Sequence, residues 1–208
     1  MSIPLDDVAL SGDLRLPPEP RGVVAFAHGS GSSRHSPRNR MVASELSRAG
    51  VTTLLVDLLT AEEEREDVEN RRLRFDIGLL ADRVAGTVDW LAQEPLTASL
   101  EVGLFGASTG AAAALVAAAR PSQLVRAVVS RGGRPDLAGD ALRTVSAPTL
   151  LIVGGADVPV LELNRGAMEA MRCECRLEIV PGATHLFEEP GALERVAELA
   201  GGWFLRHL

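Results

Sequence analysis

Short, mostly apolar runs punctuate this chain at residues 23–27, 51–58, 100–105, 125–130, 149–153 and 177–180. A run with few polar positions reads as a strand buried on both faces, because a strand with one wet face would alternate. Between the runs the apolar residues recur at helical spacing. Val42, Leu46 and Ala49 form one such stripe, and Ile77, Leu80, Val84, Val88 and Leu91 form a longer one, with Trp90 beside it as a core or edge residue. Ser36 and Pro37 supply a cap and first position for the earlier helix, and Gly50 ends it. Further helices are predicted over 111–119, 136–145, 161–171 and 193–205. Two weaker strand signals, 3–10 and 13–16, precede Pro17, Pro18 and Pro20 and predict an antiparallel hairpin at a sheet edge. The acidic run from Glu62 to Asp67 reads as a solvated loop or helix start.

Strands alternating with helices predict a single α/β domain with a doubly wound, mostly parallel sheet covered on both faces. Ligands then bind outside the carboxyl ends of the strands. The pattern contains no internal repeat, no low-complexity linker and no insertion long enough for a lid domain.

Composition narrows the function classes. The net charge is −7 over 208 residues, and the basic residues, all arginine, are scattered, which argues against nucleic acid as a partner. No basic-then-apolar leader opens the chain and no apolar run is long enough to span a bilayer, so a cytoplasmic protein with no membrane partner is expected. Cys173 and Cys175 lack neighbouring ligands to complete a zinc site and read as reduced thiols, so no metal is expected.

The candidate chemistry centres on Gly106-Ala107-Ser108-Thr109-Gly110, where an apolar strand ends and an alanine-rich helix begins. A serine that attacks a carbonyl must project from such a turn, and flanking glycines let the turn close. Ser108 is the candidate nucleophile. It needs a neutral histidine to take its proton and a carboxylate to orient that histidine. His185 follows the last strand in Pro181-Gly182-Ala183-Thr184-His185, and Asp157 follows the strand before it in Gly154-Gly155-Ala156-Asp157. Both lie at the carboxyl edge where Ser108 emerges. Asp136 competes as the acid, and Asp157 has an alternative role as a cap for the next helix. His207 is expected to fray into solvent. The backbone N–H groups of Thr109 and of Ser30, in the loop His28-Gly29-Ser30-Gly31, are the candidate oxyanion donors, and His28 is expected to hold that loop.

Together the His28-Gly29-Ser30-Gly31 loop, Gly106-x-Ser108-x-Gly110, Asp157 and the His185 loop resemble the α/β-hydrolase superfamily over nearly the whole chain. The short length, the missing lid and Asp57-Leu58-Leu59-Thr60 are similar to the dienelactone hydrolase group, whose founding pattern has cysteine where this chain has Ser108. The resemblance implies an esterase-like serine hydrolase without a cofactor and does not name the substrate; the residues are read as cleaving carboxylic esters, lactones or thioesters, and the missing lid predicts an open site for small or water-soluble ones. The same triad also supports perhydrolysis, and a non-catalytic binding module on the same scaffold is the contrasting alternative.

A second constellation is cationic. Arg34, His35, Arg38 and Arg40 crowd the loop and first helical turn beside the oxyanion loop, and Arg131 and Arg134 follow a strand ending on the same edge. Of these, Arg34, His35 and Arg131 are candidates for binding a substrate carboxylate or phosphate. Surface pairing with the abundant acids is the alternative.

Overall fold

The computed structural model describes residues 1–121 and 124–208. Strands β1 (Ser2–Pro4), β2 (Ala9–Arg15), β3 (Val23–Ala27), β4 (Thr52–Val56), β5 (Val102–Ala107), β6 (Val125–Arg131), β7 (Thr149–Gly154) and β8 (Cys175–Val180) form one sheet. Its order is β1-β2-β4-β3-β5-β6-β7-β8. β3 through β8 pair in parallel, whereas β1 and β2 pair antiparallel and β2 joins β4 antiparallel. The N-terminal hairpin is present with its turn earlier than expected, at Leu5 to Val8, where the Leu5 N–H donates to the Val8 carbonyl at 2.8 Å. β2 runs unbroken through Gly12, where a side chain would meet Ile3, whose Cδ1 lies only 2.6 Å from where a β-carbon would stand.

The helices are α1 (Pro37–Arg48), α2 (Ala61–Asn70), α3 (Ile77–Leu91), α4 (Thr109–Ala118), α5 (Ala141–Thr144), α6 (Val158–Ala170) and α7 (Ala192–His207). α1 and α7 cover one face, packing Val42, Leu46, Val196 and Phe204 on Phe26, Phe105, Val129 and Ile152. α3 and α4 cover the other, with Val84, Val88 and Leu115 against Leu54, Leu104 and Val128. α4 is buried nearly all round, with only Val116 partly exposed. Wedged between the sheet and α3, it buries Ala111, Ala112, Ala113 and Ala114 completely, which is why its sequence is rich in alanine.

The acidic run starts a helix, α2, one of the two readings open for it, and a capping box closes its first turn: the Thr60 side chain accepts from the Glu63 N–H and Glu63 accepts from the Thr60 N–H. Two expectations are corrected. The helix expected over 136–145 is a 3-10 turn (Pro135–Ala138) and the short α5, separated by Gly139 at φ 55°. α7 continues through His207, whose ring packs 4.6 Å from Trp203 instead of fraying. No helix among the described residues is long and apolar enough to cross a membrane.

Candidate active site

β5 ends at Ala107 and α4 begins at Thr109, so the reversal falls on Ser108, at φ 50° and ψ −120°. A non-glycine residue in such a conformation stores about 1–3 kcal/mol of strain and persists only where its surroundings hold it. Here the Ser108 N–H donates to the Arg131 carbonyl at 3.3 Å, and the Ser108 carbonyl accepts from Ala111 and Arg134 N–H groups at 3.1 and 3.0 Å. The flanking glycines are steric requirements. A β-carbon on Gly106 would lie 2.4 Å from the Ala111 α-carbon, and one on Gly110 would lie 2.2 Å from the Ala27 carbonyl oxygen.

His185 Nδ1 lies 2.7 Å from Asp157 Oδ2, and the Asp157 side chain is only 13% exposed. Carboxylate oxygens only accept, so Nδ1 donates and Nε2 is left free as a base. Asp157 makes no capping bond to α6, although it directly precedes that helix. Asp136 is taken by Arg134, which donates to both its oxygens at 2.8 and 2.7 Å. Ser108 and His185 line one cavity of about 250 Å³ with Ser30, Arg38, Asn39 and Arg131.

Gly29 passes so close to the elbow that a β-carbon there would sit 3.0 Å from Ser108 Cβ. His28 holds this loop. Its Nδ1 donates to the Gly29 carbonyl and its Nε2 accepts from the Leu58 N–H, each at 3.0 Å, which fixes one neutral tautomer. Burial pulls its pKa down, against the raising effect of the Gly29 carbonyl and of Asp57. At Thr109 the backbone N–H has no backbone acceptor among the described residues. The Ser30 N–H differs from expectation: it is not an open donor but gives its proton to Thr109 Oγ1 at 2.9 Å.

The cationic candidates separate. Arg34 is neutralised by Asp57, with Asp13 3.6 Å away, and does not line the cavity. His35 is exposed and also lies outside the lining. Arg131 does line it, is 7% exposed, and has no hydrogen-bond partner for its buried Nε and Nη1. Burial, and then the nearby Arg38, bring its pKa down to about 10. Sequence reasoning missed Asp67 and Arg74, whose ion pair lies behind the 28–33 loop. Asp67 is 2% exposed and also accepts from the Leu73 N–H, but inside an acidic run nothing distinguishes it from its solvated neighbours. Cys173 and Cys175 stand apart from the site, and burial raises both thiols, Cys175 to about 12.

Comparison with known proteins accords with this geometry. The family model described as "Dienelactone hydrolase family" matches residues 11–201. Two Mycobacterium tuberculosis proteins, from strains CDC 1551 / Oshkosh and ATCC 25618 / H37Rv, each provisionally named a phosphoribosyl transferase, are 65% identical over 201 residues. That match covers 97% of this chain but only 44% of each relative, so the chain spans less than half their length. A crystal structure of dienelactone hydrolase from Anabaena variabilis is 59% identical, with a TM-score of 0.98 over 100% of this chain and 96% of that one. Est1E from Butyrivibrio proteoclasticus with bound ferulic acid shares the fold, with a TM-score of 0.83 at 19% identity over 100% and 98% of the two chains. The chain therefore belongs to the dienelactone hydrolase family.

Proposed function

We propose that this chain is a serine hydrolase that cleaves small carboxylic esters, lactones or thioesters through an acyl-enzyme on Ser108. The observation that carries the reading is the His185–Asp157 hydrogen bond of 2.7 Å at the rim of the cavity onto which the strained Ser108 opens. Ser108 Oγ bonds to the carbonyl carbon as His185 Nε2 takes its proton, and the same imidazole then protonates the departing alcohol or thiol. Water repeats the sequence and releases the acid. Asp157 holds the imidazole in the tautomer that leaves Nε2 unprotonated and stabilises the imidazolium that forms.

The oxyanion is held by the N–H of Thr109, at the positive end of α4, and by Ser30 acting through the Thr109 hydroxyl. Ser30 N–H donates to that oxygen, and the hydroxyl proton is then free to point at the developing charge, a chain in which each hydrogen bond polarises the next. The transferase name of the mycobacterial relatives belongs to proteins more than twice as long, and a serine–histidine–aspartate set is equipped for acyl transfer.

Intact-mass analysis after fluorophosphonate treatment, with turnover of short-chain nitrophenyl esters, tests the proposal. A single adduct and turnover, both lost in Ser108→Ala, are expected. A folded native protein with neither would leave the binding module as the better reading.

A further inference from the structure

Arg131 is an unusual presence in a hydrolase cavity. Arg131 is only 7% exposed, with its Nε and Nη1 buried, and a guanidinium so placed is ordinarily paired with a carboxylate or bonded to carbonyls. Arg131 has neither. It makes no side-chain hydrogen bond among the described residues, and the charge that acts on it is another cation, Arg38. Arg38 has one partner, Glu188 at 3.1 Å, which is itself largely exposed, and its own buried Nε is likewise unpartnered. No acidic side chain lines the cavity.

The rest of the lining has the same sign. The first turn of α1 opens onto the cavity through Ser36, Arg38 and Asn39, bringing the positive end of a twelve-residue helix to it. Ser30 and Ser32 add hydroxyl groups. Two guanidinium groups, one of them without any partner, a helix N-terminus and hydroxyls, with no carboxylate in the lining, form a set matched to an anion with several acceptor oxygens. A single carboxylate would satisfy Arg131 alone, whereas the three oxygens of a phosphate monoester can reach Arg131 and also compete with the exposed Glu188 for Arg38.

We propose that Arg131 and Arg38 form a subsite for a phosphate monoester carried by the substrate, placed beside Ser108 so that the enzyme hydrolyses an ester, lactone or thioester of a phosphorylated small molecule. This rests on the Ser108 hydrolase reading for its chemistry, but the anion site is testable without it.

Inorganic phosphate and acetate are titrated calorimetrically into the native chain, Ser108→Ala, Arg131→Met, Arg38→Gln and, as a control on the exposed surface, Arg40→Gln. Phosphate is expected to bind native protein, Ser108→Ala and Arg40→Gln alike, and at least tenfold more tightly than acetate. Arg131→Met and Arg38→Gln are expected to weaken phosphate at least tenfold while retaining native circular dichroism. In parallel, kcat/KM is compared for a neutral ester and the same ester bearing a phosphate on its acyl chain, with at least tenfold preference for the latter in native protein and loss of that preference in Arg131→Met. Equal affinity for phosphate and acetate, or phosphate binding that survives both arginine changes, overturns the subsite. Phosphate binding without preference for the phosphorylated ester overturns its assignment to the substrate and leaves a site for free phosphate. Phosphate binding in a protein that turns over no ester overturns the hydrolase reading and spares the anion site.

Discussion

Replacing Arg131 with methionine is expected to make the protein more stable. In most buried ion pairs, removing one partner strands the other, and the fold loses several kcal/mol. Arg131 has no partner to strand. Its guanidinium is held at about 10 instead of the ordinary 12.5, so the fold binds this proton less tightly than the unfolded chain does. Between those two values the unfolded state carries more of the proton, so stability rises with pH there; at neutral pH both states are charged and the full penalty applies. That difference corresponds to roughly 3 kcal/mol acting against the fold. Methionine keeps most of the apolar stem and removes the charge, so a net gain of about 1–2 kcal/mol, or roughly 2–8 °C in Tm for a chain of this size, is expected. Denaturant and thermal unfolding at pH 7 in phosphate-free buffer measure it. Adding phosphate should then raise the Tm of the native chain more than that of the variant. If Arg131→Met proves less stable than the native chain by 1 kcal/mol or more, Arg131 has a structural partner and the reasoning is wrong.

Three other changes probe the site. Thr109→Val removes only the hydroxyl that accepts from Ser30, and kcat is expected to fall about ten- to a hundredfold with little change in KM; unchanged or faster turnover would mean that the hydroxyl merely competes with the substrate for the Ser30 N–H. Asp157→Asn retains the shape but loses the acceptor that fixes the His185 tautomer, so kcat should drop about 10³- to 10⁴-fold while the fluorophosphonate adduct still forms slowly; near-native turnover would point to another acid. Gly110→Ala drives a methyl into the Ala27 and His28 carbonyls, 2.2 and 2.5 Å away, and should cost about 3 kcal/mol in urea unfolding; a cost under 0.5 kcal/mol would show that α4 can back away from β3.

The parts of the site that were legible in the sequence are those whose position follows from local rules. The Gly106-x-Ser108-x-Gly110 pattern reports a steric demand met within five residues, and Asp157 and His185 each follow a recognisable strand. What the arginines do was not legible, because it depends on chain segments distant in sequence. Arg34 meets Asp57, 23 residues on, where β4 delivers that carboxylate beside the 28–33 loop. Arg131, with an equally unremarkable sequence context, meets no acid. Asp67 is similarly hidden, since only the return of Arg74 onto it distinguishes it from five exposed or half-exposed neighbours. Gly139 broke an expected helix because a left-handed turn outweighed the helical pattern on either side.

The paired hydrogen bonds of His28 have a consequence for behaviour in acid. Because Nε2 is an acceptor for the Leu58 N–H, a single added proton would set two donors face to face and detach the loop bearing Ser30 from the segment that follows β4. With the folded-state pKa below the ordinary 6.5, the contribution of this contact is complete above that value and is lost as pH falls from it through the lower one. The loop bearing Ser30 and the Asp57–Thr60 segment are thus fastened by one proton-sensitive clasp, which opens at a pH lower than that at which an ordinary histidine would charge.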